Sequence, residues 1–318
     1  MKISIGLAVY NGEKYLQDQL DSYLLQTQYP QELVICDDCS SDNSLKIIKE
    51  FKKIAPFDVL IYENDSNLGF TKNFEKVLSL CSGSIIFLSD QDDVWSSNKI
   101  STISKVFKKN LEVMAVIHSG YLSNKTLEFI GSDKLSQIMR GYGSDQVFVT
   151  GALSAFRKEL VEFALPFPAN LVSHDGYLHY IAKAMGKRIV LKDILQTIRR
   201  HDNNTSEWIV NSLEKINRFD ALNAQFKSPV AENYNDRLEI NQAAQKVFHS
   251  KKMRSNLDSK SLRNALSFLK KEKIAIKKRN SLVHKSSFIG KIHAISMMLR
   301  GDYRYFNGFK SFIRDLMR

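Results

Sequence analysis

The sequence predicts an α/β fold, with a mostly parallel sheet flanked by helices, followed by a helical C-terminal region. Residues 1–120 alternate between short apolar runs and segments whose apolar residues recur at helical spacing. From about residue 207 the composition becomes basic and helical. Strands separated by helices pair in parallel, so we expect a sheet domain over residues 1–206 and a basic helical region over residues 207–318.

Apolar runs and turn residues place the elements in order. The predicted strands of the first part lie at residues 3–9, 32–36, 59–62 and 84–88. Helices are predicted between them, beginning near Tyr15, Ser41 and Thr71. Pro30 ends the first helix, because proline interrupts helical hydrogen bonding. Further along we expect strands at residues 147–149, 189–191 and 195–198, and helices at residues 160–164 and from His174 onwards.

Composition narrows the class of protein. The chain of 318 residues has 43% hydrophobic and 25% charged residues, which is ordinary for a globular protein. Its net charge of +12 indicates an anionic partner such as phosphate groups, nucleic acid or an acidic membrane surface. The three cysteines are expected to be reduced thiols. No signal-peptide core follows Met1, and no apolar run approaches about 18 residues, so we expect neither a leader nor a membrane span.

Three acids follow the fourth predicted strand at close spacing: Asp90, Asp92 and Asp93. Carboxylates this close repel one another unless a cation lies among them. Mg²⁺ and Mn²⁺ accept such oxygen ligands, especially together with a phosphorylated substrate. From these residues alone, a solvated acidic turn without a function is the alternative. The metal site therefore depends on whether the chain also supplies a nucleotide site and a base.

Polar residues also follow the second and third predicted strands. Asp37 and Asp38 end the second strand, and residues 64–67 end the third. In a parallel sheet these ends meet at the edge where ligands bind. The chain has no glycine-rich dinucleotide motif and no Walker A lysine, so a nucleotide would instead stack on Tyr10 and hydrogen-bond to Asp37 or Asp38. A turn and helix cap is the alternative role of this aspartate pair.

Four motifs in order resemble those of the family-2 glycosyltransferases, which have the GT-A fold. They are Ala8-Val9-Tyr10-Asn11-Gly12, Asp37-Asp38-Cys39-Ser40, Asn67-Leu68-Gly69-Phe70 and Ser89-Asp90-Gln91-Asp92-Asp93-Val94-Trp95. The last motif most resembles the bacterial rhamnosyltransferase-like branch, and the resemblance covers roughly residues 1–205. Each motif is weak alone, but four in order at family spacing are specific. Cys39 departs from the pattern, because the family usually has glycine there.

The resemblance implies a Rossmann-like GT-A sheet and a nucleotide-sugar donor. The nucleotide-binding residues that it implies are Ala8, Tyr10, Asp37, Asp38, Asn67, Lys72 and Asp90. The implied cofactor is Mg²⁺ or Mn²⁺, which Asp92 or Asp93 would reach. A cation that bridges the diphosphate activates the leaving group by neutralising its growing charge.

A basic loop follows the last predicted strand and contains Arg200 and His201. By the same resemblance, Arg200 or His201 would contact the diphosphate or the metal. Imidazole is a suitable ligand for Mn²⁺, so His201 is included among the expected metal ligands. A polar loop with fixed backbone hydrogen bonds is the alternative interpretation of this segment.

Inverting sugar transfer also needs a base for the acceptor hydroxyl. The resemblance implies Asp175, at the start of a predicted helix, for this role. A helix N-terminus favours the carboxylate form, which makes Asp175 available but only modestly basic. His174 is the alternative base, and helix capping is the alternative role of the pair.

The C-terminal region is strongly basic, with eleven Lys or Arg residues against two acids in residues 251–279. A solvated helix face and nucleic-acid binding both fit this charge, but no nucleic-acid motif appears, so nucleic acid is not an expected partner. A basic amphipathic helix on an anionic membrane surface fits better. Self-association into a homo-oligomer is the other role considered for this region.

The prediction for the whole chain is a metal-dependent inverting glycosyltransferase, cytoplasmic and peripheral on the inner face of the cell membrane. It would transfer a sugar, such as L-rhamnose from dTDP-rhamnose, to a lipid-linked oligosaccharide acceptor during synthesis of a capsule or another cell-surface polysaccharide. A UDP-hexose donor is the alternative within the class. A noncatalytic protein that binds a nucleotide sugar or nucleic acid is the alternative outside it.

Overall fold

The computed structural model describes residues 1–142, 144–145, 148–171, 173–201, 214–217, 219–220, 223, 234–250, 253, 257–282 and 287–317. The chain divides into two compact units. The first comprises Met1–Gln137, Phe148–Lys183 and Lys187–Lys215, and the second comprises Ile138–Val147, Ala184–Gly186 and Ile216–Arg318. The predicted domain boundary after residue 206 lies outside the described residues and stays a prediction.

One mixed sheet forms the centre of the first unit. Its strands in chain order are β1 (Ile3–Val9), β2 (Glu32–Asp37), β3 (Asp58–Glu63), β4 (Ile85–Ser89), β5 (Val94–Trp95), β6 (Ala115–Ser123), β7 (Phe129–Asp133), β8 (Ser154–Arg157) and β9 (Arg188–Arg199). Their order across the sheet is β3-β2-β1-β4-β8-β6-β9-β5, and β7 pairs with β6. The first four strands are parallel, as predicted, and β8 then pairs antiparallel with β4 and β6. The predicted α/β fold is confirmed.

Helices lie between these strands along the chain. They are α1 (Leu16–Leu24), α2 (Ser44–Ile54), α3 (Phe70–Leu80), α4 (Lys99–Lys109), α5 (Lys134–Tyr142), α6 (Lys158–Ala164) and α7 (His174–Ala184). Every residue of β2 and of β4 is buried, which explains why these strands are continuous apolar runs rather than alternating ones. Leu16, Leu20 and Tyr23 of α1 belong to the same buried cluster as the strands. The sheet core therefore begins at the start of the chain, as the helical spacing predicted.

The strand predicted at residues 147–149 is wrong. Residue 147 lies outside the described residues, and Phe148 and Val149 are not in a strand. The strand of this segment, β8, begins at Ser154 after a 3₁₀ turn at Gly151–Leu153. Phe148 is fully buried, so its apolar character reflects packing and not strand pairing.

The two edge strands predicted at residues 189–191 and 195–198 are one strand, β9. It pairs with β6 on one side and with the short β5 on the other. Lys192 and Asp193 lie in its middle and are exposed. A polar exposed pair inside a strand has the same pattern as a turn between two strands, which is why the sequence suggested a break.

The described part of the second unit beyond residue 216 contains four long helices: α8 (Tyr234–His249), α9 (Ser259–Leu282), α10 (Ser287–Leu299) and α11 (Gly308–Leu316). A buried ion pair joins α9 to α11, with Arg279 Nε donating to Asp315 Oδ2 at 2.8 Å. Tyr303 donates to the same oxygen at 2.9 Å, so the buried charges have partners. Among the described residues, no helix is both long enough and apolar enough to cross a membrane.

A buried carboxylate joins the amino-terminal ends of three neighbouring segments. Glu32, at the start of β2, is 4% exposed and accepts hydrogen bonds from Ser4 Oγ and Ser82 N, both at 2.6 Å. Lys2 Nζ lies 3.0 Å from the same carboxylate. Burial raises the pKa of Glu32, but these hydrogen bonds outweigh it and lower the pKa from 4.5 to about 2.

The first prediction concerns stability and pH. Because the pKa of Glu32 falls from 4.5 to about 2 on folding, Glu32→Gln is expected to lower the free energy of unfolding by up to about 3 kcal/mol at neutral pH. The contribution is complete above pH 4.5 and is lost as the pH falls towards 2, so the two proteins converge in acid. Urea unfolding over this pH range measures the difference. The exposed Glu50→Gln is the control, and a difference independent of pH would contradict the assignment.

Candidate active site

A cavity of about 610 Å³ lies at the carboxyl ends of β1 and β4 in the first unit. Its lining comes mainly from residues after β1, the loop before α3, the loop of residues 90–93 after β4, and the end of β9. This is the sheet edge at which parallel strands place ligands. The volume falls within the range of about 300–1,000 Å³ that is typical of small-molecule sites. Polar residues predicted at separate strand ends therefore meet at one cavity.

The end of β1 is tied to residues 90–93, hereafter the acidic loop, by one amide side chain. Gln91 Oε1 accepts a hydrogen bond from Tyr10 N at 2.9 Å, and Gln91 Nε2 donates to Tyr10 O at 3.0 Å. The side chain of Tyr10 stays half exposed and lines the cavity together with Ala8. An aromatic ring presented in this way can stack on a nucleotide base. The predicted positions of Ala8 and Tyr10 at the site are consistent with this geometry.

Asp38 organises the loop before α3 and also lines the cavity. Its Oδ1 accepts a hydrogen bond from Leu68 N at 2.8 Å, and its Oδ2 accepts one from Gly69 N at 2.9 Å. Asn67 Nδ2 donates to Asp38 O at 3.1 Å and lines the same cavity. Gly69 has a φ of +78°, a left-handed conformation that favours glycine. The sequence thus placed Asp38 and Asn67 at the site, although the Asp38 carboxylate already has partners within the protein.

Two of the predicted nucleotide-binding residues do not line this cavity. Asp37 is buried, and its Oδ2 accepts a hydrogen bond from Ser40 N at 3.0 Å. Lys72 lies on α3 and forms an ion pair with Glu75, one turn along the helix. Neither side chain is among the described residues of the lining. Asp37 therefore stabilises the turn after β2, and the geometry gives no support to a contact between Lys72 and the nucleotide.

The turn after β2 requires an unusual backbone conformation at residue 39. Cys39 has a φ of +64°, where a residue with a Cβ is strained and glycine is favoured. Its Sγ donates to Asn64 O at 3.0 Å. The departure from glycine at this position therefore stores local strain without displacing Asp38 from the cavity.

The acidic loop brings three carboxylates together. One oxygen from each of Asp90, Asp92 and Asp93 lies within 4.8 Å of the others. Asp92 Oδ2 also lies 2.8 Å from His201 Nε2, and the His201 ring packs 4.7 Å from that of Tyr15. Carboxylate oxygens and an imidazole form a donor set that suits Mn²⁺ or Mg²⁺. Asp90, Asp92, Asp93 and His201, which were predicted to bind the nucleotide or the metal, therefore lie together.

Arg199, at the end of β9, holds the acidic loop in place. Its backbone N–H donates to Asp93 Oδ1 and its Nε donates to Asp92 O, both at 2.9 Å. Its Nη2 lies 2.6 Å from Asp18 Oδ2, and the guanidinium lies 4.5 Å from the ring centre of Tyr15. The side chain is buried. One arginine therefore connects α1, the acidic loop and the last long strand of the sheet.

A buried lysine supports Asp93 from inside the fold. Gln196 Nε2 donates to Asp93 Oδ2, and Gln196 Oε1 accepts a hydrogen bond from Lys99 Nζ at 2.6 Å. The Lys99 ammonium lies 3.7 Å from the ring centre of Trp95. Burial lowers the pKa of Lys99 well below its usual value, and burial together with the neighbouring acids raises the pKa of Asp93 well above its usual value. Asp93 is 3% exposed, and both of its carboxylate oxygens accept hydrogen bonds from within the protein.

Asp90 and Lys134 line the cavity with opposite charges. Burial, followed by the charges of Asp92 and Asp175, raises the pKa of Asp90 to about 7. Burial and the charge of Arg200 lower the pKa of Lys134 to about 8. Both shifts arise because charged groups of the same sign are crowded away from water. A cation at the acidic loop would relieve the repulsion among the carboxylates.

Asp175, the predicted base, lies at the start of α7. Ser173 Oγ donates to Asp175 Oδ1 at 2.6 Å, and Gly176 N donates to the same oxygen at 2.8 Å. Burial raises the pKa of Asp175, but the field of His174 and these hydrogen bonds outweigh it, so the pKa is lower than usual. The carboxyl group is therefore ionised at neutral pH.

Asp175 does not line the cavity, but it lies close to Gly151, which follows the lining residue Thr150. A Cβ built on Gly151 would lie 3.7 Å from Asp175 Oδ2 and 3.3 Å from His174 Nε2. His174, the alternative base, is buried and stacks on Phe74 with ring centres 4.2 Å apart. Burial also lowers the pKa of His174. Because His174 is enclosed by this packing while Asp175 is partly exposed, the structure favours Asp175 as the group that can reach an acceptor.

Sequence reasoning missed Lys134, Lys99 and Gln196. Lys134 opens α5 directly after Asp133, whose Oδ1 accepts a hydrogen bond from Ser136 N at 3.0 Å and caps the helix. That capping signal was visible in the sequence and could have located the helix. No local signal in the sequence could have placed Lys134 beside the acidic loop. Gln196 offered a weaker signal, because a polar residue inside an apolar strand often supports a buried site.

Comparison with known proteins identifies the class to which this fold and site belong. The model of glycosyl transferase family 2 matches residues 4–163, which include the acidic loop and the ends of the four parallel strands. The chain belongs to glycosyl transferase family 2, and its sheet has the GT-A architecture. The family predicted from the motifs is confirmed.

Several relatives carry names that describe sugar transfer. An uncharacterized glycosyltransferase of Nostoc sp. is 29% identical over 215 residues, which are 64% of this chain and 66% of that protein. The dTDP-rhamnosyl transferase RfbG of Shigella flexneri is 25% identical over 216 residues, 62% of this chain and 72% of that protein. The UDP-Glc:alpha-D-GlcNAc-diphosphoundecaprenol beta-1,3-glucosyltransferase WfgD of Escherichia coli is 33% identical over 113 residues, 35% and 44% respectively. The chain thus spans just under two thirds of the Nostoc relative.

Two solved structures resemble this chain in fold. TarS 1-349 of S. aureus, in complex with UDP, superposes with a TM-score of 0.56 at 14% identity and covers 99% of this chain and 89% of that one. The mannosyltransferase PcManGT of Pyrobaculum calidifontis, in complex with GDP-Man and Mn²⁺, gives a TM-score of 0.51 at 16% identity, with 99% and 86% covered. At these identities the likeness establishes the fold alone.

The second prediction separates the two adjacent aspartates by stability. Asp93→Ala removes the acceptor of two buried donors, Arg199 N and Gln196 Nε2, and is expected to lower the free energy of unfolding by about 2–4 kcal/mol. Asp92→Ala removes a more open carboxylate and is expected to cost less than about 1 kcal/mol. Urea unfolding without added metal measures both variants. Equal losses in the two variants would contradict the different roles assigned to the two aspartates, and no loss in Asp93→Ala would show that Asp93 does not support the loop.

Proposed function

We propose that the protein is an inverting glycosyltransferase that moves a sugar from a nucleotide-sugar donor to a saccharide acceptor. The observation that supports this most strongly is the acidic loop, whose three carboxylates approach within 4.8 Å at a cavity of about 610 Å³. A nucleotide sugar combines an aromatic base, a diphosphate and a sugar. Tyr10 offers a ring for the base, Asp38 and Asn67 offer polar groups, and the acidic loop offers a cation site for the diphosphate.

The donor atoms around the acidic loop fit Mg²⁺ or Mn²⁺. We assign Asp92 and His201 as its protein ligands, because their side chains already meet at 2.8 Å beside the cavity. Asp93 then has a positioning role, since both of its oxygens accept hydrogen bonds from within the fold. When bound, the cation neutralises negative charge that develops on the departing diphosphate. The Mn²⁺ named with PcManGT supports this assignment.

The chemical step that we propose is a single displacement at the anomeric carbon of the donor sugar. Asp175 accepts the proton of the acceptor hydroxyl while the hydroxyl oxygen forms a bond to that carbon. The bond from the same carbon to the diphosphate oxygen breaks, and the nucleoside diphosphate leaves with the electron pair. Attack opposite the leaving group inverts the configuration. The lowered pKa of Asp175 keeps this residue in the carboxylate form that a base requires.

Two basic residues of the lining complement the phosphates. Lys134 and Arg200 both line the cavity, on the same side of the molecule as the acidic loop. Burial lowers the pKa of each, but the nearby acids keep the charged forms favourable. An ammonium or guanidinium beside a diphosphate forms charge-assisted hydrogen bonds. We assign both residues to the phosphates of the donor or of the acceptor.

For the donor we propose dTDP-rhamnose, with a UDP-hexose as the alternative. The name of RfbG and the form of the acidic-loop motif support the first, and the UDP named with TarS and the UDP-Glc in the name of WfgD support the second. For the acceptor we propose a saccharide on a lipid diphosphate at the inner face of the cell membrane. The name of WfgD and the net charge of +12 support this choice. The product would be a cell-surface polysaccharide such as a capsule.

A thermal-shift screen of nucleotide sugars, with and without Mg²⁺ or Mn²⁺, tests the donor and the cofactor. Binding to the native state raises the Tm, so we expect dTDP-rhamnose to raise it and the cation to enlarge the shift. Asp92→Ala is expected to abolish the additional shift from the cation. Addition of a lipid-linked saccharide should then release the nucleoside diphosphate. A shift without release would indicate a noncatalytic nucleotide-sugar binding protein, and no shift with any nucleotide sugar would contradict the proposal.

The third prediction tests the base. Asp175→Asn is expected to lower kcat by about 10²–10⁴-fold while the Kd of the donor stays unchanged, because the residue acts on the acceptor hydroxyl. Donor binding by thermal shift and nucleotide release by a coupled assay measure the two quantities. Asp193→Asn, an exposed aspartate in β9, is the matched control. Full activity of Asp175→Asn would remove Asp175 from the mechanism.

A further inference from the structure

Four large apolar side chains form a stripe along α10 that nothing in the described part of the chain covers. Phe288, Ile292, Ile295 and Leu299 are 75%, 54%, 47% and 84% exposed. Steps of three and four residues place them on one side of the helix. Ala294 and Met297 are buried and belong to a small apolar cluster of the second unit. One side of α10 therefore anchors the helix, while the described residues leave the apolar stripe of the other side exposed.

The basic run at residues 251–279, where the sequence suggested a lipid contact, differs from this surface. Most of its described residues lie in α9. Leu269 and Ile276 of α9 are buried, as is Arg279, so the apolar face of that helix packs within the second unit. Residues 251–252 and 254–256 lie outside the described residues. The exposed apolar surface is thus located further along the chain than the basic run indicated.

The exposed charges on α10 and directly after it are positive. Residues 287–301 contain Lys291 and Arg300 and no Asp or Glu, and the next acid, Asp302, is paired with Lys278 at 2.7 Å. Lys291 in α10 and Arg300 directly after it are exposed. A second copy of the chain would bring the same positive charges together, which opposes self-association through this face. An anionic lipid surface complements both the apolar side chains and the bases.

We propose that the apolar stripe of α10 docks on an anionic lipid bilayer. A helix of 13 residues is about 20 Å long, shorter than the bilayer core of about 30 Å, so α10 would lie in the plane of the interface. Phe288, Ile292, Ile295 and Leu299 would enter the acyl region, and Lys291 and Arg300 would contact headgroup phosphates. This inference deepens the proposed function, because it brings the enzyme to a lipid-linked acceptor. Binding to vesicles, however, requires neither a donor nor sugar transfer.

Co-sedimentation of the full chain with vesicles of phosphatidylcholine and phosphatidylglycerol tests whether the apolar stripe binds lipid. Combining Ile292→Glu with Leu299→Glu is expected to weaken binding by at least about tenfold, because carboxylates are costly in the acyl region. Ile292→Ser with Leu299→Ser should weaken it less. Leu111→Glu is the matched control, since Leu111 is an isolated side chain of the first unit with 76% exposure. We expect this control to bind like the wild type.

The same assay tests whether the basic residues beside the apolar stripe contribute to vesicle binding. Lys291→Gln with Arg300→Gln is expected to weaken binding to the phosphatidylglycerol vesicles by about fivefold for each charge removed. Binding to vesicles of phosphatidylcholine alone should not change. Lys108→Gln with Lys109→Gln removes two exposed charges from α4 and serves as the control.

Wild-type binding by the Ile292→Glu, Leu299→Glu variant, or an equal loss in Leu111→Glu, would overturn the inference. So would light scattering that shows a dimer in the wild type and a monomer in this variant while vesicle binding is unchanged, because the stripe would then be an interface between copies. Transfer to a soluble, lipid-free acceptor is expected to be the same in the variant and the wild type. Absence of transfer in both would count against the proposed function and leave the docking surface standing.

Discussion

The hydrogen bonds that Asp93 accepts from Arg199 N and Gln196 hold the site together. They join the acidic loop after β4 to β9, although β8 and β6 lie between those strands in the sheet. The side chain of Arg199 extends the connection to Asp18 of α1. Because Asp93 is buried, loss of its carboxylate would leave donors without acceptors and release the loop from the sheet. The placement of Asp92 at the cavity depends on this arrangement.

In this arrangement the neighbouring residues Asp92 and Asp93 have different roles. Asp93 accepts hydrogen bonds from protein donors, whereas Asp92 meets His201 and lines the cavity. Concentrating carboxylates in a partly buried site is costly, and the buried Lys99 and the cavity residue Lys134 offset part of that cost. The hydrogen-bond partners of Asp92 and Asp93 hold the acidic loop in one arrangement, and groups that are held in place before binding favour precise positioning of a ligand.

Much of the fold was predictable from the sequence, because β1, β2 and β4 are fully or largely buried apolar strands and helices separate the first four strands along the chain. The acidic loop was predictable for the same reason, since strand ends meet at one edge of a parallel sheet. The position of Lys134 was not, because it depends on pairing between distant strands. Lys72 was expected at the nucleotide; in this structure its side chain pairs with Glu75 on α3, and the contact with a nucleotide stays a prediction. Phe148 likewise shows that burial and strand formation are separate properties.

The central claim is that Asp92, held by its neighbours, binds a cation together with a diphosphate. Anomalous diffraction at the manganese edge, from crystals grown with Mn²⁺ and a nucleoside diphosphate, tests it most directly. The account predicts an anomalous peak between the Asp92 carboxylate and the diphosphate, with Asp93 still hydrogen-bonded to Arg199 N. A diphosphate bound in the cavity with no anomalous peak at the acidic loop would contradict the account.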